Sequence, residues 1–118
     1  MNHQAVYPMR AVPGYYSSSQ GIQLAIQTDA EASDEDLQYF QQLGVEWAMV
    51  GFKDQSQHRL EVYQKLVKRF AEFGLKIYRI ANLSVHNVPE ITLNLPGRDQ
   101  KIAEFKQFIR NISRAGIK

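Results

Sequence analysis

Three segments of this chain are near copies of one another: Leu43-Gly44-Val45-Glu46, Phe73-Gly74-Leu75-Lys76 and Ala115-Gly116-Ile117-Lys118. Each reads as a glycine ending a helix, then an aliphatic residue, then a charge. After the first two, a strand-like run begins at once. The chain is therefore read as a βα unit repeated three times. Repeated βα units imply a parallel sheet with right-handed crossovers. A three-stranded parallel sheet keeps open edges and leaves apolar area uncovered. The expected fold class is α/β, an N-terminal (βα)3 portion of a TIM (β/α)8 barrel, cut before strand 4. A small complete three-layer domain is the competing architecture.

The elements follow from local pattern. Residues 1–20 hold Pro8, Pro13, Gly14 and a Ser17-Ser18-Ser19 run with no period, and read as an extended or frayed leader. Residues 21–118 form the partial barrel domain. Ile22 to Gln27 alternates apolar and polar, which predicts the first strand. Ser33, followed by Asp34, Glu35 and Asp36, predicts a helix start with a capping box. Trp47 to Phe52 is apolar on both faces, as a strand buried between layers should be. Leu60, Tyr63, Leu66, Val67, Phe70 and Phe73 mark one face of a helix over about 58–73. Ile77 to Ala81 predicts the third strand. A long connection over 82–97 then leads to a last helix, with Asp99 as its expected N-cap and Ile102, Phe105, Ile109 and Ile112 as its apolar face.

Composition narrows the function classes. The 118 residues include no cysteine, which excludes disulfide scaffolds, thiolate zinc sites and cysteine nucleophiles within them. No apolar run approaches the roughly 18 residues of a membrane-spanning helix. No secretory signal is present, so a soluble cytoplasmic protein without membrane contact is expected. The net charge of +2 hides an asymmetry. Residues 1–52 hold one base and six acids, whereas 53–118 hold 13 bases and six acids. Lys106, Arg110, Arg114 and Lys118, four apart, form a basic stripe on the last helix. No aromatic platform or recognition motif accompanies it, so no nucleic-acid partner is expected. No glycine-rich phosphate loop and no nucleophile elbow occurs either.

The stretch from Ile80 to the end carries a specific pattern. It contains Ser84-Val85-His86, Leu95-Pro96-Gly97-Arg98-Asp99, Lys106, Ile109-Arg110-Asn111 and Ala115-Gly116-Ile117-Lys118. In wording and spacing it resembles the mannonate dehydratase family. Ala81 and Asn87 stand where that family often has glutamate, and the first 75 residues match it only in architecture. The resemblance implies a xylose isomerase-like TIM barrel and dehydration of D-mannonate to 2-dehydro-3-deoxy-D-gluconate, a step of glucuronate breakdown. It implies a divalent cofactor, Mn2+ or Fe2+, whose ligands come from strands beyond this stretch. It is also compatible with a homo-oligomer. A related sugar isomerase or epimerase, or a non-catalytic basic βα binding module, are the alternatives. Residues 1–118 alone are expected to lack dehydratase activity and to self-associate.

Four residues are candidates for substrate contact. His86, just past the third strand, sits where a barrel builds its active site, and an imidazole suits proton transfer. Asn82 and Asp29 end the third and first strands, where each can meet a sugar hydroxyl or instead bond nearby backbone. Arg98 can fork onto a substrate carboxylate or pair with an acid in its own loop. No residue is assigned as catalytic. His3 and His58 have no metal-binding partner at a useful spacing.

Overall fold

A computed structural model describes residues 22–54 and 58–117. The leader over 1–20 lies outside the described residues. Among these residues the chain forms three parallel strands alternating with helices, in the order β1-β2-β3. The elements are β1 (Ala25–Asp29), α1 (Asp34–Gln42), β2 (Trp47–Gly51), α2 (Leu60–Glu72), β3 (Lys76–Ala81), a 3-10 turn (Leu83–Val85), α3 (Pro89–Thr92) and α4 (Arg98–Arg114).

The start of α1 forms as its sequence requires. The Ser33 hydroxyl accepts the Asp36 N–H at 3.1 Å, and the Asp36 carboxylate accepts the Ser33 N–H at 3.3 Å. This satisfies two backbone donors that the first turn leaves orphaned. Leu37 then points inward and is fully buried.

β1 begins three residues later than alternation alone indicates. Its partner decides this: Ala25 pairs with Trp47 and Asp29 with Gly51, so the five residues of β2 set the length of the ladder. Ile22 has no partner there and is 98% exposed.

The core lies on one side of the sheet. Ala48, Val50 and Ile77 meet Leu37, Tyr63, Leu66, Phe70 and Ile117. Alternation therefore turns Trp47, Met49 and Gly51 to the other face, which carries none of the helix-packed core residues. Strand β2 thus has the two-sided apolar character expected of it, with cover on one side.

Two expectations for the last helix are corrected. Its N-cap is Gly97 rather than Asp99, and the helix opens at Arg98. Gly97 sits at φ 94°, a left-handed conformation that glycine adopts without the Cβ clash other residues suffer. A cap of this shape turns the chain out of the Leu95–Pro96 corner and leaves Asp99 in the first turn, beside the positive end of the helix dipole. The apolar face is also rotated. Phe108 and Ile112 pack against the core, while Phe105 and Ile109 are exposed. The cause is α2, whose Tyr63 draws Phe108 into edge contact at 6.3 Å between ring centres. The long connection before this helix is also not all loop, since it holds the 3-10 turn and the short helix α3, which opens at Pro89.

Candidate functional site

All three strands run parallel, and each leads into a helical segment, so every β-to-α connection leaves the sheet at its C-terminal end. Pairing in register puts Asp29, Gly51 and Ala81 in one row there. This row is where a parallel α/β sheet gathers its functional groups, because the connecting loops are free to vary while the strands hold position.

Asp29 occupies the β1 end of the row. Its Oδ2 lies 3.6 Å from Lys53 Nζ, and both side chains are more than half exposed. Such a pair adds little stability. Gly51, the neighbour of Asp29 in the ladder, has no side chain to cover it. Lys53 was not among the residues singled out from sequence, because nothing local relates it to position 29.

Asn82 is 9% exposed and its carbonyl oxygen is engaged. It accepts the Ser84 N–H at 2.9 Å and the Ser84 hydroxyl at 2.5 Å, capping the 3-10 turn. That turn carries the chain to His86, which is exposed and whose N–H donates to the Leu83 carbonyl at 3.3 Å. Among the described residues the His86 ring makes no hydrogen bond or ion pair.

Arg98 stands in the first turn of α4. Its Nε and Nη2 reach Asp99 Oδ1 at 2.9 and 2.8 Å, and its Nη1 donates to Asn94 Oδ1 at 2.7 Å. All three groups lie in the 94–99 corner, which borders an open depression over Asn94 to Gln100. The four candidates thus share one end of the sheet through topology, but no hydrogen bond or ion pair joins any two of them among the described residues. Nor do three or more His, Asp or Glu among those residues stand together as metal ligands.

His58 has a partner that sequence spacing did not reveal. Its Nδ1 lies 2.5 Å from the Tyr63 hydroxyl, and its ring meets Phe52 at 4.8 Å and Phe108 edge-on at 5.6 Å. Burial lowers the His58 pKa, and Asp54 opposes that shift. Burial also pushes the Tyr63 phenol up, so its hydroxyl keeps its proton and can donate to a neutral imidazole. The signal available in sequence was only an aromatic five residues on; Phe108 is brought in by the fold.

Comparison with known proteins adds a partial relationship. A 59-residue stretch is 41% identical to the mannonate dehydratase of Thermotoga petrophila, covering 50% of this chain and 16% of that protein. The mannonate dehydratase of Thermotoga neapolitana matches to the same extent, and that of Thermotoga maritima is 40% identical over 58 residues. Across about half its length, the chain is similar to mannonate dehydratases. The matched stretch spans about a sixth of each of these relatives. No family model matches the chain, and no solved structure matches it. No helix among the described residues is long and apolar enough to cross a membrane.

Proposed function

We propose that this chain is the first three βα units of a mannonate dehydratase-like barrel lyase, acting on D-mannonate. The single observation that carries the reading is the 41% identity over 59 residues to proteins of that name. The architecture supports it. Three parallel strands alternating with helices packed on one face form a partial βα repeat, the unit from which a barrel is built. Further βα units would cover the other face and close the open edges.

Dehydration of D-mannonate removes the proton on the carbon beside the carboxylate and the hydroxyl on the next carbon, releasing one water. The reaction needs a base for the proton and an acid for the departing hydroxide. His86 is the group in this stretch best suited to exchange a proton at the strand ends, being exposed with a free ring. Asp29 is suited to accept from sugar hydroxyls. Asn82 offers its amide N–H2, since its oxygen holds the turn. Arg98 is the weaker substrate contact, because its guanidinium is already paired within its own corner.

A manganese or iron(II) ion belongs to this reading through the resemblance, and when bound it would polarise the carboxylate oxygens. The described residues do not by themselves supply its ligands.

The test is to supply the complete protein containing this sequence with manganese and D-mannonate, and to follow formation of a 2-keto-3-deoxy acid. Its appearance supports the lyase. Conversion to an isomer without loss of water would replace it with an isomerase or epimerase on the same barrel.

A further inference from the structure

Strand β3 does not keep step with β2. Ala48 pairs with Ile77, yet the next residue, Met49, pairs with Arg79, so Tyr78 is an extra residue in the ladder. The shift has a visible effect on the core. Ile77 and Ile80, three residues apart, both reach the helix-covered side, which an unbroken strand with a period of two does not allow. It also decides the fate of Arg79. Its ladder partner Met49 lies between the buried Ala48 and Val50 and so faces away from the helices. Arg79 stands beside it on the bare face and is exposed. Bulges of this kind occur beside active sites, where they re-aim a side chain.

The charge on that face is unbalanced. Lys76 is spent over the Trp47 ring, 5.4 Å from its centre, and Lys53 pairs with Asp29. The Arg79 side chain makes no hydrogen bond or ion pair among the described residues. It sits two residues before the strand end, about 7 Å at 3.3 Å per residue, within reach of an extended arginine. If the bare face becomes the barrel interior, an unpaired guanidinium there needs an anion, because a buried charge without a partner is costly.

We propose that Arg79 is the residue that binds the substrate carboxylate, holding the sugar acid by its charged end while the strand-end groups meet its hydroxyls. The assignment rests on the barrel lyase reading above. A guanidinium fork matches the two carboxylate oxygens in geometry as well as charge. Binding through Arg79 selects a sugar acid over the neutral sugar or alditol of the same length.

The experiment uses the complete protein. D-mannonate is titrated calorimetrically into the wild type, Arg79→Gln and Arg79→Lys, with turnover and thermal unfolding measured alongside. The expected result is a dissociation constant raised about ten- to a hundredfold in Arg79→Gln, a smaller rise in Arg79→Lys, and unfolding temperatures close to wild type. An unchanged dissociation constant in Arg79→Gln overturns the assignment, whether or not D-mannonate is turned over. So does a lowered unfolding temperature with unchanged binding, which would mean that Arg79 pairs with an acid of the barrel wall. Wild-type binding without turnover, lost in Arg79→Gln, would instead keep the assignment and remove the dehydratase reading. Absence of D-mannonate binding by the wild type would overturn the assignment outright.

Discussion

Arg69 on α2 ties itself to Asp34 at the start of α1, its Nη2 lying 2.6 Å from the carboxylate and 2.6 Å from the Ala32 carbonyl. The two residues are 35 apart in sequence. The bond clamps the first turn of one helix to the last turn of the next.

The two halves of this clamp differ in value. Asp34 is 75% exposed at its side chain, whereas Arg69 is 34% exposed. The ion pair is a surface interaction worth a few tenths of a kcal/mol, while the carbonyl bond is a charge-assisted one in a more sheltered place, worth about 1–2 kcal/mol. Arg69→Met is expected to destabilise the protein by about 1–2 kcal/mol, and Asp34→Ala by about 0.5 kcal/mol or less. Urea unfolding midpoints of the two variants check this. Equal losses would mean that the Ala32 bond contributes nothing.

The cap of α4 allows a direct comparison of two residues. Gly97 holds a left-handed conformation, and a Cβ there would meet only Glu90 Cγ at 3.9 Å, an ordinary contact. The cost of Gly97→Ala is therefore conformational, about 1–2 kcal/mol. Asp99 is in the first turn and does not cap, so Asp99→Ala loses only its dipole term and its exposed pair with Arg98, about 0.5 kcal/mol. Unfolding measured by circular dichroism should rank Gly97→Ala well above Asp99→Ala. The reverse order would restore Asp99 as the cap.

What could be read from sequence divides along the same line. The Ser33–Asp36 capping box and the glycine helix ends lie within a few residues and were legible. The Leu60–Phe73 stripe was legible because a helix repeats its face locally. The start of β1, the rotation of α4 and the side on which Arg79 lies were not, because each is set by another element: β2 pairing, Phe108 against Tyr63, and the extra residue at Tyr78. In the site, strand ends located Asp29 and Asn82, but neither Lys53 beside Asp29 nor the bond from Asn82 to Ser84 follows from spacing.

Asn82 separates capping from substrate contact. Its oxygen holds the turn that leads to His86. Asn82→Asp keeps an acceptor there and removes the amide N–H2, whereas Asn82→Ala removes both. Loss of the cap is expected to cost about 1 kcal/mol in Asn82→Ala, with Asn82→Asp close to wild type in stability. If the amide also contacts a sugar hydroxyl, Asn82→Asp lowers kcat/KM for D-mannonate while its unfolding temperature is kept. Wild-type kinetics in Asn82→Asp would confine the residue to its structural role.

His58 gives the fold a dependence on pH. Burial lowers its pKa below the ordinary 6.5, with Asp54 acting the other way. The unfolded chain therefore binds the imidazole proton more readily than the folded one, and stability rises with pH wherever that difference holds. The sign is fixed by this. Above about pH 6.5 the ring is neutral in both states and the contribution is constant. As pH falls below 6.5 toward the lowered value, folding must keep the ring neutral at growing cost, and stability drops. Below the lowered value both states are charged and the loss is complete. The mechanism is local, since a protonated Nδ1 can no longer accept from the Tyr63 hydroxyl 2.5 Å away, and Phe52 and Phe108 offer no counter-charge. Thermal unfolding followed from pH 8 to pH 5 should show a fall below pH 6.5 in the wild type. His58→Phe keeps an aromatic ring in the cluster and should flatten the profile over that range. An identical slope in His58→Phe would place the titrating group elsewhere.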